Sequence, residues 1–232
     1  MLDIKIFYAN SFFERTMVVW NENRKGFIID PGFNDEARRA KVFGFIEDEG
    51  ITVLAVLLTH SHFDHIYGVR DCIDRFGVPV YMHPDDRILL EHAAGFAADY
   101  DMPAPDASWD TTDVNDGDLL RFDTIEVKVI GTPGHSPGSV GYYCEDGMHL
   151  FSGDTLFAGS IGNTAHKYGD YDKEIVSLMD KLMVLDSDVK VHPGHGGGTT
   201  IGYERMNNPF LQPFNEKDPE TGAVDGITYV NG

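Results

Sequence analysis

Apolar residues along this chain switch between two periods. Residues 4–8 and 16–20 read as strands, and 26–30 (GFIID) as a third. Asn34 is placed to cap a helix running to about Glu49. Residues 51–59 (ITVLAVLLT) form a continuous apolar run of strand length, rich in β-branched residues, which predicts a strand buried on both faces. From about Asp64 the period becomes helical. Ile66, Val69, Ile73 and Phe76 recur at helical spacing, and Gly77 sits where a helix-ending glycine belongs. Residues 79–83 predict a short strand and 85–97 a helix. Residues 99–117 are rich in Asp and Pro, and a loop of that length in a compact domain often marks a functional edge. Short β segments follow at 118–122, 125–130, 139–144 and 148–152. Ile175, Leu178, Met179 and Leu182 mark a further helix, and 188–192 a last strand. With no repeat, coiled coil or linker, the pattern predicts sheets covered by helices in one domain over 1–212, followed by a polar tail over 213–232.

Composition narrows the class of partner. A chain of 232 residues with 42% hydrophobic and 24% charged residues has ordinary globular composition and can bury a substantial core. Its formal net charge of −20 repels phosphate backbones and anionic membrane surfaces, so no nucleic acid and no membrane partner is expected. The simplest role of the acidity is solubility. No apolar run is long enough to span a bilayer, and the opening MLDIKIFYANSFFER lacks a basic region followed by an apolar one. Cys72, in a predicted helix, and Cys144, in a predicted strand, read as small buried hydrophobes rather than a disulfide or ligands. A cytoplasmic protein with a small-molecule substrate fits these features, and its oligomeric state is left open.

The chemistry is concentrated in Thr59-His60-Ser61-His62-Phe63-Asp64-His65, where a buried strand ends and a helix begins. Four potential ligands in six positions form a dense cluster. The two-residue spacing lets His60 and His62 project to one side of an extended segment. Asp64 and His65 fall in the first helical turn, where the positive helix end would keep Asp64 ionised. Imidazole and carboxylate donors suit zinc, and also iron or manganese. The competing reading is a polar loop with incidental histidines. Three later segments weaken it: His135 in TPGHSPG, Asp154 in SGDT and His195 in HPGHG each follow a predicted strand on a glycine-bearing turn, which holds a side chain at a fixed angle close to an ion.

With these motifs in place, the chain resembles the metallo-β-lactamase superfamily, and within it the glyoxalase II-like hydrolases, over about residues 4–212. The family's motif segments all occur in order. The resemblance implies an α+β fold, an αββα sandwich with its site at one edge of the two sheets. It implies a first metal held by His60, His62 and His135, a second by Asp64, His65 and His195, and Asp154 bridging both. It further implies a metal-bridging hydroxide that attacks a thioester or related acyl ester, with Asp64 able to orient it. Zinc β-lactamases resemble this scaffold but carry cysteine at the position of Asp154 and usually no histidine at that of His65, which argues against antibiotic hydrolysis.

The likeness to glyoxalase II proper weakens at the glutathione anchors. Asn163 stands where the family has a basic residue, and Ala165 where it has an acidic one. Gly196-Gly197-Gly198 replaces a segment with tyrosine. Residues 214–232 carry only Lys217 as a cation and no amphipathic helix. The resemblance leaves an oxidoreductase alternative, a persulfide dioxygenase with one iron on His60, His135 and Asp154. A third reading, non-catalytic metal binding, is opposed by the intact ligand set, and the chain has no room for a flavodoxin domain. His83, His92, His149 and His166 read as surface or structural, and His192 as structural with a supporting role to the site as the alternative. His166 and Lys167, in the loop after Asp154, are placed to touch substrate.

Overall fold

The computed structural model describes residues 2–212, so the expected polar tail at 213–232, with Lys217, lies outside the described residues. Two mixed six-stranded sheets form the centre. The first contains β1 (Asp3–Tyr8), β2 (Arg15–Trp20), β3 (Lys25–Ile29), β4 (Thr52–Leu57), β5 (Val80–Met82) and β6 (Thr112–Asp113), in that spatial order. Its first three strands pair antiparallel, and β3 through β6 pair parallel. The second contains β7 (Leu119–Phe122), β8 (Ile125–Gly131), β9 (Val140–Cys144) and β10 (His149–Gly153). A two-stranded ribbon, β11 (Leu156–Phe157) with β12 (Ser160–Ile161), follows, and β13 (Lys190–Pro193) and β14 (Thr199–Thr200) complete the second sheet in the order β14-β13-β10-β9-β8-β7.

Three apolar layers hold the sheets and helices together. β4 shows why its sequence is apolar on both faces. Val53 and Val56 join the cluster that includes Val42 and Ile46 of α1 (Glu36–Asp48). Ala55 and Leu57 face the other way, into the cluster shared with Val127, Val129, Val140 and Tyr142 of the second sheet. On that sheet's outer face, Ile130, Leu150 and Val191 pack with Ile175, Leu178 and Leu182. The result is the expected αββα sandwich.

The predicted elements recur with instructive differences. The run at 51–59 leaves strand geometry after Leu57, because the Thr59 amide turns to donate to the Asp30 carboxyl at 2.8 Å. The first helix is capped by Asp35, not Asn34; its side chain accepts from the Arg38 amide. The single helix expected from Asp64 is two, α2 (Phe63–Ile66) and α3 (Val69–Phe76). Gly68 interrupts them, donating its amide to the Pro31 carbonyl at 2.6 Å. α3 does end at Gly77, in left-handed geometry. α4 (Arg87–Ala98) is preceded by a short 3-10 turn. α5 (Tyr171–Ser177) is capped by Asp170 and runs into a π turn at Leu178–Leu182. The ribbon, β14 and α6 (Ile201–Asn207) escaped the hydrophobic pattern because each is too short to show a period. Cys72 and Cys144 are buried and free, in α3 and β9. No helix among the described residues is long and apolar enough to cross a membrane.

Gly68 generates a stability prediction. A Cβ there would fall 2.3 Å from the ring of Phe33, which is 1% exposed and fixed in the core. Gly68→Ala should therefore cost about 1–3 kcal/mol, as overpacking does, read as a lower urea midpoint at unchanged slope.

Candidate metal centre

The seven residues singled out in the sequence converge at one edge of the sandwich, all on segments that leave strands. His60 and His62 follow β4, His135 follows β8, Asp154 follows β10 and His195 follows β13. The ring centroids of His60, His62 and His135 lie 4.6–4.9 Å apart. His62 Nδ1 faces His135 Nε2 at 2.9 Å. Beside them, His65 Nε2 faces His195 Nε2 at 3.2 Å, and Asp64 Oδ2 lies 3.3 Å from His195 Nε2. Ligand atoms of His60, His62 and His135 all fall within 4.8 Å of one another, as do those of Asp64, His65 and His195.

Asp154 stands between the two groups. Its Oδ1 is 3.6 Å from His65 Nε2, and its Oδ2 is 3.7 Å from His135 Nε2 and 3.5 Å from His195 Nε2. It emerges from Gly153, which has a positive φ of 52° and packs so closely that a Cβ would meet Thr59 Oγ1 at 2.4 Å.

Most of the histidines are held from behind, leaving one nitrogen aimed inward. His60 Nδ1 lies 3.1 Å from Thr59 Oγ1, and His65 Nδ1 3.1 Å from Asp30 Oδ2. His135 Nδ1 lies 2.8 Å from the Asn163 carbonyl, and His195 Nδ1 3.0 Å from the Phe12 carbonyl. Oxygens behind a ring fix its orientation and aim each Nε2 at the centre. His60 Nε2 and Asp154 Oδ1 are buried without a hydrogen-bond partner, as expected of donors built for a metal ion rather than for each other. A third close group, Asp30 with His60 and His65, is different. The Asp30 carboxyl is already occupied by the Thr59 amide, the Thr59 hydroxyl and His65 Nδ1, which makes it a support.

The electrostatics favour ligation. Burial, helped by neighbouring histidines, pushes His60 and His62 well below their ordinary pKa and keeps them neutral. Burial opposes the charge of Asp154, but His65 and His195 outweigh it and hold the carboxyl well below the usual range. Asp64 is lowered too: burial works against it, and His65 and His195 prevail. The helix-end stabilisation expected for Asp64 is thus a lesser matter, since α2 is a single four-residue turn.

Several residues escaped sequence reasoning. Asp86 is fully buried and accepts from the Ser61 amide, the Ser136 hydroxyl and the Gly138 amide, tying the His60 segment to the His135 turn. Glu174 accepts from the His135 amide at 2.7 Å. Among these, Asp30 alone carried a signal, as a carboxylate closing an apolar strand before Pro-Gly. Of the remaining histidines, His149 and His192 bond each other at 2.9 Å and His192 stacks on Phe151, a structural pair. His83 and His92 make local contacts outside the centre. His166 lines the pocket over the site, with its ring 4.9 Å from that of His62. Lys167 does not line it; its Nζ lies over the Tyr168 ring. Of the stretch 99–117, expected as a loop but containing β6, only Tyr100 reaches the pocket.

The chain belongs to the metallo-β-lactamase superfamily, which matches residues 12–203. Within it the chain is glyoxalase II-like. It is 34% identical to the hydroxyacylglutathione hydrolase GloC of Haemophilus influenzae over 212 residues, 90% of this chain and 98% of the relative. Two solved structures superpose closely. The BLEG-1 B3 metallo-β-lactamase has a TM-score of 0.83 at 37% identity, covering 90% of this chain and 99% of the other. TTHA1623 in a di-iron-bound form has a TM-score of 0.80 at 36% identity, covering 89% and 100%. Family and relatives together support a metal-dependent hydrolase.

Asp30 is the support with the most bonds. Asp30→Asn keeps the volume but replaces one acceptor by a donor facing Thr59 or His65. Loss of such a supporting carboxyl should weaken metal affinity about 10–100-fold, measured by chelator competition on the loaded protein.

Proposed function

We propose that this chain is a hydrolase carrying two divalent metal ions and acting on a thioester or related acyl ester. The observation that carries the reading is Asp154, whose Oδ2 lies between His135 of one group and His195 of the other while its Oδ1 faces His65. His60, His62 and His135 would hold one ion, Asp64, His65 and His195 the other, and Asp154 would be shared. Imidazole-rich donors with two carboxylates suit zinc first, with iron or manganese also accommodated; TTHA1623, with such likeness, is known in a di-iron form. Bound there, the ions would polarise an acyl carbonyl and lower the pKa of water towards neutrality.

The chain's own residues supply the rest. The rear hydrogen bonds from Thr59, Asp30, Asn163 and Phe12 keep the imidazoles in their ligating orientation without reorganisation. Asp64 lines the pocket floor beside His195 and is the catalytic residue of the proposal, orienting the attacking water through its carboxylate. Residues 1–212 would form the hydrolase domain. A cytoplasmic setting accords with two buried, unpaired cysteines. The one-iron dioxygenase reading would use His60, His135 and Asp154 and give Asp64, His65 and His195 no ion to hold.

Elemental analysis of metal-loaded protein should give two ions per chain; a ceiling of one would overturn the binuclear reading. His195→Ala should lose mainly the second ion and His60→Ala mainly the first. Because it serves both, Asp154→Ala should impair both sites and cut thioester turnover by orders of magnitude, measured by thiol release. Near-normal turnover would remove Asp154 from its shared role. A cephalosporin assayed beside the thioesters should be the poorer substrate, and the reverse order would place the chain with its β-lactamase neighbour in activity as well as fold.

A further inference from the structure

The pocket above the site has one wall of a different character from its floor. Phe12, Phe63, Phe96 and Tyr100 line it, drawn from the β1–β2 loop, α2, and α4 with the turn that follows. Phe12 meets Phe63 edge-on at 5.4 Å and Tyr100 at 5.5 Å, and the rings of Phe63 and Tyr100 are 5.6 Å apart. These three rings touch one another, so the wall is a rigid apolar trough rather than scattered side chains. Tyr100 is 61% exposed, so its ring is open to a bound group. Asn163 and His166, both polar, line the same pocket. No Lys or Arg among the described residues lines the pocket.

Resting on the hydrolase reading above, we propose that the trough selects an uncharged acyl compound with an aromatic or branched apolar group flanking its carbonyl. Two physical arguments converge. Covering a phenyl-sized group with apolar wall favours binding by roughly 10–100-fold. A carboxylate carried on the apolar group, held against the rings and away from the metal-binding floor, would give up water with no Lys or Arg among the described residues to receive it, on a chain of net charge −20. The cavity volume of about 220 Å³ also falls below that of pockets for drug-sized ligands. It therefore seats the carbonyl and one apolar group, leaving a long peptide-bearing thiol outside. Specificity then rests on Phe12, Phe63, Phe96 and Tyr100, in place of an ionic anchor.

The test uses the full-length chain loaded with metal and reads binding before turnover. The probes are butan-2-one, 4-phenylbutan-2-one and the para-carboxylate of the latter. A ketone keeps the carbonyl but has no leaving group, so it reports on the trough whichever side of a substrate lies there. By calorimetry or competition, 4-phenylbutan-2-one should bind roughly 10–100-fold tighter than butan-2-one and also tighter than its carboxylate, with benzoate run beside them to read ligation of a carboxylate by the metal ions alone. Tyr100→Ala should remove most of the first preference, with Phe96→Ala as a second variant at the same wall. Asn163→Arg should tighten the carboxylate by roughly tenfold or more, because the backbone carbonyl that supports His135 is kept. Equal binding of the charged and uncharged aryl ketones, or a preference untouched by both alanine variants, would overturn the inference. Phenylacetyl and acetyl thioesters of one neutral thiol, and S-lactoylglutathione beside them, supply the kinetic arm; kcat/KM should favour the phenylacetyl compound over both others. If the ketones follow the order and no ester is cleaved, the trough stands and the hydrolase reading fails. If esters are cleaved and the ketones show no order, the hydrolase reading stands and the trough fails.

Discussion

The Asp30 carboxyl, fully buried, sits where β3 ends, and three donors from two other segments close on it. It takes the Thr59 amide and hydroxyl, which turns the chain out of β4, and His65 Nδ1, which aims that ring at the centre. A buried polar group without partners is costly, so each donor is held where it is by the same requirement that the carboxyl be satisfied. Asp30 adopts a positive φ of 45°, which an aspartate tolerates better than most residues. This small strain sits at the junction of strand end, ligand segment and ligand, and the packing of three apolar layers holds it there.

Around this junction the fold solves an electrostatic problem. Five imidazoles and two carboxylates are crowded together, most of them buried. Left to themselves such groups would repel, shift their protonation or pull apart. Most are instead held by the surrounding chain: Asp86 joins the two turns that carry His60 and His135, Glu174 takes the His135 amide, and the Phe12 carbonyl holds His195 across the sheets. These fastenings place the cost of assembling the site in folding, so that a bound ion meets a prearranged donor set.

The pocket above this centre follows from the same hairpin and helix ends that support it. The loop whose carbonyl orients His195 also presents the Phe12 ring to the pocket. The turn that carries Asp64 also carries Phe63. The support of the histidine cluster and the proposed substrate wall are therefore coupled by adjacency along the chain, and Asn163, which lines the same pocket, couples them through its carbonyl on His135.

The sequence by itself picked out the seven residues that the fold brings together, because dense spacing at 60–65 and glycine-bearing turns at strand ends are local features that survive without coordinates. It also determined the two-sided burial of β4 and the end of α3 at Gly77, where period and glycine geometry act over a few residues. Only the tertiary structure decided what distant segments do to one another. It broke the helix at Gly68 against the Phe33 ring, moved the cap from Asn34 to Asp35, and revealed the short elements β11, β12, β14 and α6. It separated Asp30, Asp86 and Glu174, which are buried and bonded, from the many acidic residues that merely face water. In a chain with 38 acidic residues nothing local marks that difference. The physical reason is that a carboxyl's role is set by the donors packed around it, and those come from segments tens of residues away.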